Sequence, residues 1–179
     1  MALDGEQAPL QQGEEDSMPV ADEFVQADQQ YAASFTKGDL PMPPGRRVAV
    51  VVCMDARLDP ARFLGLQEGD AHVIRNAGGR AADAIRSLVI SQQLLGTREV
   101  VVVHHTDCGM LTFTDDELRQ KIEQDLGVHT DIPFYSFTDL EQSVRDDLRE
   151  IGASPLLLKD IPVSGYIYDV KTGQLHEVE

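Results

Sequence analysis

An α/β fold on a mostly parallel sheet, flanked by helices, is predicted from two observations in the sequence. The runs Arg47 to Cys53 (RVAVVVC) and Glu99 to His104 (EVVVVH) are apolar and β-branched without alternation, as strands covered on both faces require. Helix-like and strand-like stretches alternate between them, and strand, helix, strand, helix, strand is the pattern of right-handed crossovers that lay strands side by side in one direction.

Taken in order, residues 1–30 carry eight acids and no Lys or Arg. Residues 1–20 are therefore expected to be a disordered acidic leader, a solvated tail rather than a binding element. From Ala21, the steps of three and four between Phe24, Ala27, Tyr31 and Phe35 predict one face of a helix. Residues 37–46 hold three prolines and two glycines, which break helices and suit a linker. Residues 21–45 thus read as helix plus linker, and 46–179 as the α/β domain. Within it, Asp59–Leu66 has an Asp-Pro helix start, Ala71–Arg75 reads as a strand, and Ala81–Leu95 has helical spacing closed by Gly96. Thr114–Asp125, with Thr114 and Glu117 in capping-box register, and Asp139–Ile151 predict two more helices. Val163–Val170 and Gln174–Val178 read as strands around the turn Lys171-Thr172-Gly173.

Composition narrows the function classes. With 31 acidic and 15 basic side chains the net charge is −16, which argues against nucleic acid, whose affinity comes mainly from clustered Lys and Arg. No run reaches the ~18 apolar residues that cross a bilayer, and the start lacks the basic-then-apolar pattern of a secretory signal. A soluble, cytoplasmic protein with no membrane partner is expected.

Two cysteines in 179 residues are too few for a disulfide framework and point instead to metal binding or catalysis. Cys53 ends one apolar run and Cys108 lies four residues past the other, so both fall at C-terminal strand edges, where open parallel sheets bind ligands. His105 stands three residues before Cys108. Two thiols and an imidazole suit Zn²⁺, and three protein ligands leave a fourth position for water. Asp55 and Arg57 follow Cys53 at two-residue steps. Arg57 can hold Asp55 ionised through a two-pronged contact, and Asp55 can accept a hydrogen bond from metal-bound water.

Cys53-x-Asp55-x-Arg57, then Arg75-Asn76-Ala77-Gly78, then His105-x-x-Cys108-Gly109 resemble the signatures of the β-class carbonic anhydrases. The likeness implies zinc held by Cys53, His105 and Cys108, with Asp55 and Arg57 as a catalytic pair. It also implies a parallel sheet with an added antiparallel edge hairpin and a homodimer or homotetramer. The expected chemistry is interconversion of carbon dioxide and bicarbonate through zinc-bound hydroxide. Relatives that hydrolyse carbonyl sulfide or carbon disulfide use the same ligand set, so a hydrolase releasing hydrogen sulfide is the alternative. The chain departs from the usual pattern at Ala56, His104 and Met110.

Plainer readings stand beside these. A disulfide between Cys53 and Cys108 would leave His105 and Asp55 without a purpose. A non-catalytic zinc or thiol-sensing protein would have four protein ligands, with Asp55 swung from Arg57 to the metal. His104 should face away from His105 and serve packing, while His72, His129 and His176 have no thiol at ligand spacing. Asp107 reads as a turn residue, and Met54 and Phe63 as core or pocket wall. Ala77, Gly78 and Gly79 either let backbone approach a small bound molecule or only turn strand into helix.

Overall fold

The computed structural model describes residues 19–179; the expected leader lies almost wholly outside them. Two compact units meet at Leu40 and Pro41, inside the proline-rich stretch. In the first, helix α1 spans Val20–Ala32, starting one residue before the expected Ala21 and ending before Phe35.

The second unit is built on a five-stranded sheet. Its strands are β1 (Val48–Cys53), β2 (Ala71–Asn76), β3 (Glu99–His105), β4 (Val163–Tyr168) and β5 (Leu175–Val178), in the order β2-β1-β3-β4-β5. All neighbours are parallel except β4 and β5, which form the antiparallel edge. Gly45 and Arg46 donate to the Gly69 and Asp70 carbonyls, each at 2.8 Å, and so lead β1 into register with β2.

Every residue of β1 is buried, which explains its unbroken apolar run. Ala49 and Val51 pack with Val100 and Val102 of β3 beneath Ala81, Ala84 and Leu88 of helix α3 (Ala81–Leu95) and Ile151 of helix α5 (Leu140–Ala153). Val50, Val52 and Val103 face the opposite layer, with Leu58, Met110 and Phe137. Each fully buried valine stabilises by about 1.5–3 kcal/mol, so the ends of β1 and β3 are fixed by packing on both faces.

Gly96 closes α3 in the left-handed conformation, and Thr114 with Glu117 forms the expected capping box at the start of helix α4 (Asp115–Leu126). Asp59 and Asp139 fall just outside their helices as caps, accepting from the backbone N–H of Arg62 and Gln142. Helix α2 is far shorter than Asp59–Leu66: it spans Pro60–Phe63, because Gly65 turns left-handed at φ 62°. Two short 3₁₀ turns, Ala77–Gly79 and Gly109–Leu111, follow β2 and the Cys108 loop. Among the described residues no helix is long and apolar enough to cross a membrane.

Candidate metal centre

Cys53 and His105 are the last residues of β1 and β3, adjacent parallel strands aligned through Val52 and Val103. Alternation along β3 sends successive side chains to opposite faces. Val102 and His104 therefore point to the α3/α5 layer, and Val103 and His105 to the other. After His105 the chain is pinned to β4, since Thr106 N–H donates to the Tyr168 carbonyl at 3.0 Å and the Thr106 hydroxyl accepts from Val170 N–H at 3.1 Å. It then turns through Asp107 and delivers Cys108 back toward Cys53.

The potential ligand atoms of Cys53, His105 and Cys108 all lie within 4.8 Å of one another, and all three residues are buried. His105 Nδ1 sits 2.9 Å from the Thr106 carbonyl. A carbonyl only accepts, so Nδ1 carries the proton and Nε2 keeps a bare lone pair. Buried Nε2 has no hydrogen-bond partner. An orphaned buried acceptor costs about 1–3 kcal/mol, and two sulfurs beside it form a donor set that Zn²⁺ accepts. The residues fit the metal.

The two sulfurs are driven in opposite directions by their proximity. The hydrogen bond from Cys108 is the strongest influence holding Cys53 as a thiolate, well below the usual thiol range, and the same contact pushes Cys108 up. Burial works against protonated His105, but the negative charge of the neighbouring Cys53 sulfur counters it and draws the imidazole upward. A thiolate beside a second sulfur and an imidazole nitrogen is a donor set ready for a cation.

Asp55 stands beside this cluster, with Oδ2 3.8 Å from His105 Nε2. Arg57 grips it with two prongs, Nε to Oδ1 at 2.9 Å and Nη2 to Oδ2 at 2.8 Å, and its backbone N–H adds a third bond at 2.9 Å. These bonds hold the Asp55 carboxyl far below the ordinary carboxylate range, so it is ionised at any physiological pH. The segment 53–55 is clamped from behind. Arg75 donates through Nε and Nη2 to the Cys53 carbonyl, at 3.2 and 3.1 Å, and through Nη2 to the Asp55 carbonyl at 2.6 Å. Only the place of Arg75 in its short motif marked it in the sequence; its reach to the other strand depends on β2 lying next to β1.

A cavity of about 310 Å³ opens beside the cluster, lined by Cys53, Met54, Asp55, Ala77, Gly78, Cys108, Met110 and Phe113, with Gly109 and Thr112 at its margin. Its walls are mostly apolar. Ala77 and Gly78 line the cavity, and Gly79 lies outside its lining. A Cβ on Gly79 would stand 2.9 Å from Cys53 N and 3.0 Å from the Val103 carbonyl, so this glycine seats the turn under the strand ends instead. Asn76 braces the turn by donating to the Arg80 carbonyl and accepting from Arg80 N–H, both at 2.8 Å. Met110, Thr112 and Phe113 were not foreseen as pocket residues, and only their position just after the ligand loop could have suggested them.

His104 is fully buried away from the cluster. Its Nε2 meets Asp147 at 2.9 Å, its Nδ1 meets Ser143 at 2.8 Å, and Asp147 also pairs with Arg80 at 3.0 Å. The packing role expected for it holds. His72 contacts Ser91, while His129 and His176 are exposed. Met54 is a pocket wall and largely exposed; Phe63 stacks on Tyr168 at 4.5 Å between ring centroids.

Comparison with known proteins agrees with this geometry. A family profile described as carbonic anhydrase matches residues 48–175. A relative named beta-carbonic anhydrase 1 from Mycobacterium tuberculosis is 50% identical over 162 residues, covering 90% of this chain and 99% of that protein. A carbon disulfide hydrolase from Saccharolobus solfataricus is 34% identical over 182 residues, covering 87% of each. The crystal structure of a carbonic anhydrase from Streptococcus mutans superposes with a TM-score of 0.86 at 52% identity, covering 91% of this chain and 99% of that one.

Proposed function

The chain belongs to the β-class carbonic anhydrase family, and on that premise we propose that it is a zinc-dependent enzyme interconverting carbon dioxide and bicarbonate. The observation that carries the reading is the partnerless, buried Nε2 of His105 between two buried thiols, beside an ionised carboxylate that Arg57 keeps in place. When bound by Cys53, His105 and Cys108, zinc supplies the Lewis acidity that makes a hydroxide nucleophile available near neutral pH.

The protein's own residues do the rest. Two thiolate ligands soften the acidifying effect of a divalent ion, and Asp55 offsets this by accepting the hydrogen bond of the nucleophile and orienting it. Arg57 keeps that carboxylate charged and aimed. Met54, Ala77, Met110 and Phe113 offer a linear, apolar substrate a wall whose side chains carry no competing donors. Asp55 would have to break both prongs of its contact with Arg57 to become a fourth metal ligand, which disfavours a permanently closed, non-catalytic site.

The carbon disulfide hydrolase relative keeps a second substrate class in view, since the same nucleophile attacks carbonyl sulfide or carbon disulfide. Stopped-flow hydration of carbon dioxide, run beside hydrogen sulfide release from carbonyl sulfide and carbon disulfide, tests the choice. The expected outcome is a kcat/KM for carbon dioxide well above that for either sulfur compound; the reverse order would make the chain a hydrolase of the alternative kind. The reading includes a homodimer or homotetramer in the cytoplasm, and sedimentation velocity measures the assembly.

A further inference from the structure

Between His105 and Cys108 the backbone turns through Asp107 at φ 57°. Asp and Asn enter that left-handed region more readily than other residues with a Cβ. A turn role thus accounts for the residue type, but it does not account for where the side chain goes. Asp107 Oδ2 accepts from Arg57 Nη1 at 2.7 Å, and the Asp107 carbonyl accepts from Arg57 Nη2 at 2.9 Å. The adjacent edge of the guanidinium, Nε with the shared Nη2, is the one that grips Asp55. One planar group therefore ties the loop after β1 to the loop after β3.

A guanidinium presents its donors in a rigid fork, so fixing one edge fixes the other. Arg57 is otherwise a long side chain, 47% exposed, and an exposed ion pair held only to Asp55 would be free to swing as a unit. The Arg57 backbone N–H already holds Asp55 Oδ1, so what the guanidinium fixes is Oδ2, the oxygen 3.8 Å from His105 Nε2.

We propose that the Asp107 carboxylate is a positioning residue for the site, anchoring Arg57 so that Asp55 faces the Cys53, His105 and Cys108 cluster. This rests on the proposed role of Asp55 and adds a third member to the pair. It departs from the turn reading of Asp107 by assigning work to the charge as well as the backbone.

Asp107→Asn separates the two roles, because Asn keeps the tolerance for positive φ and the side-chain shape while losing the charge. Asp107→Gly keeps the backbone conformation with no side chain. The first readout uses metal-free, ¹⁵N-labelled protein: rotation and hydrogen exchange at the Arg57 Nη groups, assigned by their loss in Arg57→Lys. Both Asp107 variants should exchange at least about fivefold faster than the parent. In zinc-loaded protein both should lose about tenfold in kcat, the scale of a modest misplacement of a reacting group, with KM within about twofold and zinc content unchanged. Parent-like Arg57 exchange and kcat in either variant would overturn the proposal and leave Asp107 a turn residue. If the parent fails to hydrate carbon dioxide, the functional reading falls, yet the Arg57 signals, read without metal or substrate, still decide the role of Asp107.

Discussion

At the scale of single residues, the decisive feature is the division of labour between Asp55 and Arg57. The carboxylate is charged because Arg57 donates three hydrogen bonds to it, and it sits 3.8 Å from the imidazole nitrogen that lacks a partner. Asp55→Asn keeps the shape and removes the charge that orients the nucleophile. It should retain zinc at about one equivalent while losing roughly 10²-fold or more in kcat, the scale of losing one preorganised electrostatic contact, as elemental analysis and stopped-flow kinetics would show. Turnover equal to the parent would remove the pair from the mechanism. The convergence of Cys53, Asp55, Arg57, His105 and Cys108 was legible in the sequence because it depends on local spacing at strand ends. Arg75 as a clamp and Asp107 as a second partner of Arg57 were not, since each acts across the gap between two strands.

At the scale of elements, the turn after β2 and the start of α4 carry consequences of their own. Gly79 has φ 71°, and a Cβ there would press on Cys53 N and the Val103 carbonyl, both backbone atoms of the site's scaffold. Gly79→Ala should therefore destabilise by about 1–3 kcal/mol and weaken metal retention; a denaturation midpoint unchanged from the parent would show that the turn yields easily. Asp115 predicts a pH dependence with a definite sign. Burial opposes its ionisation, but the Ser136 hydroxyl and the backbone N–H groups of Ser136, Phe134 and Tyr135 more than compensate, lowering its pKa from 3.8 to about 2. A lowered folded-state pKa stabilises above the unfolded value and fades as pH falls through the folded one. Asp115 should thus contribute about 2 kcal/mol above pH ~4, lost between pH ~4 and ~2, and Asp115→Asn should flatten that part of the acid-unfolding curve; an unchanged curve would contradict the assignment. The buried strands were readable because continuous valine runs have few other uses. The 3₁₀ turns and the early end of α2 were not, because they hang on a few glycine dihedrals rather than on periodicity.

At the scale of the whole molecule, the parallel sheet brings two distant loops to one edge, and everything chemical follows from that convergence. The antiparallel β4/β5 edge and the strand order agree with what the family resemblance implied. Substrate preference was not legible, because the cavity wall is drawn from residues 53–55, 77–78, 108–110 and 112–113, and its width depends on how three separate turns settle against one another. The central claim is narrower than substrate choice: two thiolates and one imidazole hold a single zinc ion and leave it a corner for solvent. X-ray absorption at the zinc edge of the purified protein tests it most directly. The account predicts one zinc per chain with two sulfurs at about 2.3 Å, one nitrogen at about 2.0–2.1 Å and one light ligand that inhibitory anions replace; protein free of zinc, or zinc enclosed by four side chains that no added anion displaces, would contradict it.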